Sequence, residues 1–374
     1  MDRRAEITEK TGRVASMLGA EHLGGVLLTS QHNFSWLTAG SSNTIDTSRE
    51  AGAGALLVRK DGRRFLLASR IEMARLLEEE VSAEDFEPVE FGWEEEKGSA
   101  TFLAERALSL LDKGDALGSD LPVGAAVRTI EGALARCRCR LTPSEIERYR
   151  SLGRDAGEAT GALMRTLKPG ESEKEVARRA REVLGARDIH AVVLLVAADD
   201  RVAQFRHPVP TERRWEKLLM VVVCARRKGL IASLSRLVSA GAVPDEMRRR
   251  TLSAARVDAQ LLAATRPGKT GAELYQVAAR AYAAEGFEGE ERLHHQGGAC
   301  GYRGRDWVAH PASTERVEES QAFAWNPSIT GTKVEETCIA HDGRVELITA
   351  SPGWPTISVA IEGQDYLLPD VLSL

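Results

Sequence analysis

The chain alternates short apolar runs with longer amphipathic stretches. Leu218–Ala225 is unbroken by charge, Arg226-Arg-Lys-Gly229 interrupts it, and Leu-Ile-Ala-Ser233-Leu-Ser-Arg236 resumes the run. The pattern predicts a buried strand, a tight turn and a second strand. Gly25–Leu28, Ala53–Arg59 and Arg63–Leu67 predict further strands, the last two as a hairpin around Asp61-Gly62. Asp2–Leu18, Ile71–Glu80 and Phe102–Leu111 carry helical spacing, and Arg138–Leu141 reads as a strand tail with Cys137 and Cys139 on one face. Pro143 then opens a helix on which Ile146, Tyr149, Leu152, Ala156, Ala159 and Leu163 share an apolar stripe. This change of pattern places a domain boundary near Arg140, giving units 1–140 and 141–374.

The second unit contains an echo. Leu167-Lys-Pro-Gly-Glu-Ser-Glu-Lys-Glu-Val and Thr265-Arg-Pro-Gly-Lys-Thr-Gly-Ala-Glu-Leu share a Pro-Gly turn, a polar cap and an amphipathic helix. Each follows a long helix. The repeat predicts two equivalent helix-helix-sheet halves with a site between their sheets.

Composition narrows the function classes. With 374 residues, 43% hydrophobic and 28% charged, the chain has the make-up of a two-domain globular protein. A net charge of -5, with acids interleaved among the arginines, gives no reason to expect a nucleic-acid partner. The apolar runs are too short for membrane helices, and the N-terminus has no apolar signal core. Five cysteines without a Cys-x-x-Cys pair fit a reducing cytoplasm rather than a disulfide framework.

Four local motifs resemble one superfamily, that of creatinase, prolidase, aminopeptidase P and methionine aminopeptidase. They are Asn33-Phe-Ser-Trp36-Leu-Thr-Ala-Gly40, Arg206-His207-Pro208, His294-His-Gln-Gly-Gly298, and Asn326-Pro-Ser-Ile-Thr-Gly331 followed by Lys333-Val-Glu335-Glu-Thr337. The resemblance implies an α/β fold: a small N-terminal creatinase-like domain and a C-terminal pita-bread domain with a pseudo-twofold repeat. It also implies a homodimer acting on a small molecule. Members hold two metal ions with two aspartates, a histidine and two glutamates. Carried onto this chain, those positions fall on Val222, Ser233, His295, Asn326 and Glu335.

That set is too poor in charge for a cation pair. Valine offers no ligand atom, serine and asparagine offer neutral oxygens, and one histidine with one carboxylate binds weakly. No dinuclear centre and no other cofactor is expected. Creatinase is the precedent for metal-free hydrolysis of a C–N bond by a histidine, and the resemblance puts that residue at His207. An imidazole titrates near neutrality and can take and return a proton. His295 is expected to bond substrate or orient water, with His294 facing elsewhere as its strand neighbour. Glu335 is expected to hold a histidine or a substrate ammonium. Tyr302 is a candidate donor to a developing oxyanion, and Asn326 and Ser233 are candidate substrate contacts. Arg236, Arg303 and Arg305 are candidates for carboxylate capture. Trp36, with Phe34 and Asn43, corresponds to the region creatinase uses from a partner subunit. The alternatives are a degenerate metallopeptidase of the Xaa-Pro type, a silent ligand-binding homologue, and a lyase or cyclase.

Overall fold

Alternation of apolar runs with helical stretches produces two compact units in the computed structural model, which describes residues 2–341 and 343–374. The first runs to Arg138 with Thr142–Ser144, and the second comprises Cys139–Leu141 and Glu145–Leu374. No helix among the described residues is long and apolar enough to cross a membrane.

In the first unit Asp2 caps the helix Arg3–Ala20, its Oδ1 accepting from the Ala5 amide at 2.7 Å. The strands are β1 (Gly25–Ser30), β2 (Ala51–Arg59), β3 (Arg64–Ser69), β4 (Glu87–Phe91), β5 (Leu117–Ser119) and β6 (Arg128–Thr129). They form one mixed sheet in the order β4-β3-β2-β1-β5-β6. Every residue of β1 is buried; Val26–Leu28 are apolar, and the hydroxyls of Thr29 and Ser30 donate to Asp120. Ile71–Glu80 is a short helical turn, Met73–Arg75, that widens into a π turn over Leu76–Glu80. The expected strand at Arg138–Leu141 is absent. Glu131–Arg138 is instead a helix, with Cys137 inside it and Cys139 just past its end. Arg138 anchors this helix, its buried guanidinium donating to Asn33 Oδ1 and Glu131 Oε1.

In the second unit β7 (His190–Ala198), β8 (Leu218–Arg227), β9 (Leu230–Ser239) and β19 (Leu372–Ser373) form a sheet in the order β19-β9-β8-β7. Lys228 and Gly229 link β8 to β9 with φ of 49° and 81°, the two positive values a tight hairpin turn requires. A second sheet has the order β11-β10-β12-β15-β16, from β10 (Gly297–Cys300), β11 (Trp307–Val308), β12 (Gln321–Trp325), β15 (Glu336–His341) and β16 (Arg344–Leu347). Two hairpins complete it: β13 (Ser328–Ile329) with β14 (Thr332–Lys333), and β17 (Thr356–Ile361) with β18 (Gln364–Pro369).

The sequence echo has a structural counterpart. The helix pairs Pro143–Met164 with Glu173–Gly185 and Asp245–Ala264 with Gly271–Ala284 repeat one arrangement. In each pair a capping box opens the second helix, Ser172 with Glu175 and Thr270 with Glu273. Each cap residue also forms an isolated bridge to a later segment, Ser172 to Arg214 and Thr270 to Arg316.

Candidate active site

Three histidines of the second unit each offer a ring nitrogen within 4.8 Å of the others: His207, His294 and His295. His207 follows the short helix Arg201–Gln204, and its neighbour Arg206 fixes that turn. The Arg206 guanidinium donates to Ser328 Oγ at 3.1 Å, Glu290 Oε2 at 2.6 Å and Thr330 Oγ1 at 2.9 Å. His294 and His295 precede β10, and Gln296 fixes them. Its Nε2 donates to the Glu291 and His294 carbonyls, and its Oε1 accepts from the Tyr282 hydroxyl at 2.7 Å.

His294 does not face away from the cluster. It lies in irregular backbone, where strand alternation has no force, and its Nε2 sits 3.2 Å from His207 Nε2. The hydrogen bonds assign the protons. His294 Nδ1 lies 2.5 Å from the His295 carbonyl, so it donates and Nε2 keeps a lone pair. His207 Nε2 therefore donates to His294, leaving His207 Nδ1 as the basic atom. His295 Nδ1 accepts from the Gly297 amide at 3.2 Å, which puts that ring's proton on Nε2.

Glu335 lies beside this cluster, 2% exposed. Its Oε2 accepts from Ser235 Oγ and lies 3.3 Å from Lys333 Nζ, while its Oε1 lies 3.6 Å from Arg305 Nη2. It holds two cations of the chain itself, where a histidine or a substrate ammonium was expected. Burial pushes the carboxyl pKa up, but Lys333, Arg305 and the Ser235 hydroxyl outweigh it, and the net shift is downward. The imidazoles shift the other way in charge preference. Desolvation, helped by Lys333, lowers all three below 6.5, His294 to about 3 and His295, with Arg305 also contributing, to about 4. His207 and His295 nevertheless keep a solvent-exposed face.

The other expected site residues are distributed as follows. Val222 pairs with Ser235 and Cys224 with Ser233 across the β8–β9 hairpin, so all four share the face that meets Glu335. Val222 fills its position with an apolar cluster of Leu195, Ala197, Met220 and Leu237. Ser233 donates to Cys224 Sγ at 3.2 Å. Asn326 is 3% exposed, its backbone N–H donating to the Gln296 carbonyl and its side-chain Oδ1 without a partner. Tyr302 is buried with its hydroxyl 3.5 Å from Arg148 Nη2. Arg303 is half-buried and its carbonyl accepts from Gly301. Arg236 lies on the opposite face of β9 from Ser233, 1% exposed and paired with Glu336 at 2.7 Å. Trp36, Phe34 and Asn43 are wholly buried in the first unit and present no surface to a ligand. Gly297 and Gly298 answer to packing. A Cβ on either would lie 2.1 Å from a carbonyl oxygen of a flanking strand, that of Ala324 or Trp307.

These residues do not fit a dinuclear metal centre. The dinuclear set lacks its carboxylates, and Lys333 and Arg305 already neutralise the one at Glu335. The three imidazoles are close enough to share a single ion, which would need the proton on His207 Nε2 to leave so that three ring lone pairs converge.

Beneath Glu335 and Glu336 lies a group absent from the sequence-based expectations. Asp258, on the helix Asp245–Ala264, is 1% exposed with neither carboxyl oxygen hydrogen-bonded. Desolvation first, then the charges of Glu336 and Glu335, push its pKa far up. The sign follows from linkage. Above the ordinary value of 3.8 the unfolded chain loses this proton and the folded chain keeps it, so Asp258 lowers stability as pH rises. Asp258→Leu is expected to stabilise the protein by about 1–3 kcal/mol at pH 7, with a smaller gain at pH 4. Urea unfolding at both pH values checks this; a destabilised variant would show that the carboxyl has a polar partner.

A profile of metallopeptidase family M24 matches residues 147–362, more than half of the chain. No curated protein matches the sequence. Among solved structures, an Xaa-Pro dipeptidase from Bacillus anthracis aligns with a TM-score of 0.74 at 20% identity, over 92% of this chain and 98% of that one. Dipeptidase PepE from Mycobacterium ulcerans aligns with a TM-score of 0.77 at 17% identity, over 94% and 97%. The N-terminal domain of FACT complex subunit SPT16 from Cicer arietinum aligns with a TM-score of 0.69 at 10% identity, over 93% and 96%. At these identities the likeness is one of fold.

Proposed function

The chain belongs to metallopeptidase family M24, with the pita-bread α/β fold, and we propose that this member hydrolyses a C–N bond of a small carboxylate-bearing metabolite without a metal ion. Membership makes it a hydrolase of the prolidase and aminopeptidase type. The observation that carries the finer reading is the ion cluster of Lys333, Glu335 and Arg305 beside a hydrogen-bonded His207–His294 pair. A cation of the chain stands where positive charge is needed, and neutral imidazole stands where a base is needed.

His207 Nδ1 takes a proton from water as the oxygen attacks the carbon of the C–N bond. His294 Nε2 accepts from His207 Nε2–H and stabilises the imidazolium so formed. The same proton returns to the leaving nitrogen as the bond breaks, so water is divided between carbon and nitrogen. A silent ligand-binding role is the second reading, favoured by the absence of carboxylates at Val222, Ser233 and Asn326.

The test is turnover on a panel of Xaa-Pro dipeptides and N-substituted amino acids, with elemental analysis of the same preparation. Turnover that survives EDTA in protein with far less than one metal equivalent is expected. Loss of turnover on chelation, restored by manganese or zinc, would overturn the metal-free mechanism. Binding of a panel compound without conversion would favour the silent role.

A further inference from the structure

Two cations share one carboxylate at the centre of this site. The side chains of Lys333, Arg305 and Glu335 are 6%, 17% and 2% exposed, and their charges sum to plus one. The neighbouring imidazoles are neutral and add no negative charge. Glu336, the adjacent carboxylate, pairs instead with Arg236, which stands on the opposite face of β9. Arg305 Nη1 is engaged by the Gly304 carbonyl, but its Nε is buried with no hydrogen-bond partner. A buried guanidinium donor with no partner, beside two cations that share one carboxylate, is suited to an anion.

We infer that Lys333 and Arg305 form a binding site for one monoanion, the carboxylate of the substrate, and that Lys333 is what turns a cation-binding position of this fold into an anion-binding one. The inference rests on the proposed reading for its substrate but not for its chemistry. A guanidinium and an ammonium, each meeting a different oxygen of the Glu335 carboxylate, suit a planar monoanion. The net charge of plus one does not suit a dianion. Lys333 acts here as a covalently attached counter-charge. It neutralises Glu335 when the site is free and releases part of that interaction when a carboxylate enters.

Acetate titrated into the full chain, followed by calorimetry, is the direct test. Saturable binding at millimolar acetate is expected, with one site per chain. Lys333→Met is expected to weaken it at least tenfold, Lys333→Arg to keep it within about threefold, and Glu335→Gln to tighten it at least tenfold by removing the competing carboxylate. Opposite signs at positions 333 and 335 separate an anion site from a merely structural ion pair, and circular dichroism of each variant checks folding. His207→Ala keeps acetate binding while losing turnover, so a failure of the catalytic reading is distinguishable from a failure of this one. Absence of saturable acetate binding, indifference to both substitutions, tighter binding of inorganic phosphate than of acetate, or stoichiometric zinc uptake by the wild-type chain would each overturn the inference.

Discussion

Replacing His207 with alanine is expected to lower kcat/KM by at least about 100-fold, the lower scale for losing a general acid and base, while leaving the melting temperature within a few degrees of wild type. The two halves of this expectation have separate causes. His207 Nδ1 is the basic nitrogen left once the hydrogen bonds of the three rings are assigned, so its loss removes the proton acceptor. The residue itself is solvent-exposed, so its loss leaves no cavity. The pH profile carries the sign of its environment. Desolvation and Lys333 hold the imidazole pKa below 6.5, so the neutral base predominates at pH 7. The rate should fall only as acid drops through that lowered value. Lys333→Met removes one of the two causes and should move the acidic limb upward toward 6.5. A His207→Ala variant within tenfold of wild type would remove this residue from the chemistry.

Much of this site was legible in the sequence, and the parts that were not have physical reasons. The Arg206-His207-Pro208 and His294-His-Gln motifs marked two loops that meet in space, because loop position survives even when ligand identity is lost. The family resemblance pointed to Val222 and Ser233, and the register of the β8–β9 hairpin puts both on one face of the sheet. The partners of Glu335 were not legible. Lys333 is only two residues away, a separation that would point in-line side chains the same way in a regular strand. However, β14 ends at Lys333 and β15 begins at Glu336, so no periodicity spans the interval. Asp258 did leave a signal that went unread. It falls on the stripe of Ala254, Ala255, Leu261 and Leu262, and a lone acidic residue on the apolar face of a helix is a buried carboxyl group. Trp36 shows the limit of motif resemblance, which transfers position but not exposure: its indole is wholly buried. Arg236 shows the value of parity, since Ser233 and Arg236 are an odd number apart on one strand and could not both face substrate.

Arg236 therefore gives the largest stability effect expected in the second unit. Its guanidinium pairs with Glu336 at 2.7 Å and donates to Ser351 Oγ at 3.0 Å and to the carbonyls of Ser235 and Thr349 at 2.8 and 2.9 Å. The helix Pro143–Met164 closes over that network. A Cβ at Gly157 would lie 2.5 Å from the Thr349 and Ala350 carbonyls, so only glycine admits the helix at this distance. Removing the guanidinium leaves Glu336 in a site 3% exposed, where burial already raises its pKa despite the pairing. Arg236→Met should cost about 3–5 kcal/mol, the usual penalty for stranding one partner of a buried ion pair. The double variant Arg236→Met with Glu336→Gln should recover a large part of that loss, because it removes the stranded charge as well. Urea unfolding of the two single variants and the double variant closes the cycle. Additive losses would mean that the two side chains stabilise the fold independently. An Arg236→Met protein of unchanged stability but raised KM would instead return this arginine to the substrate.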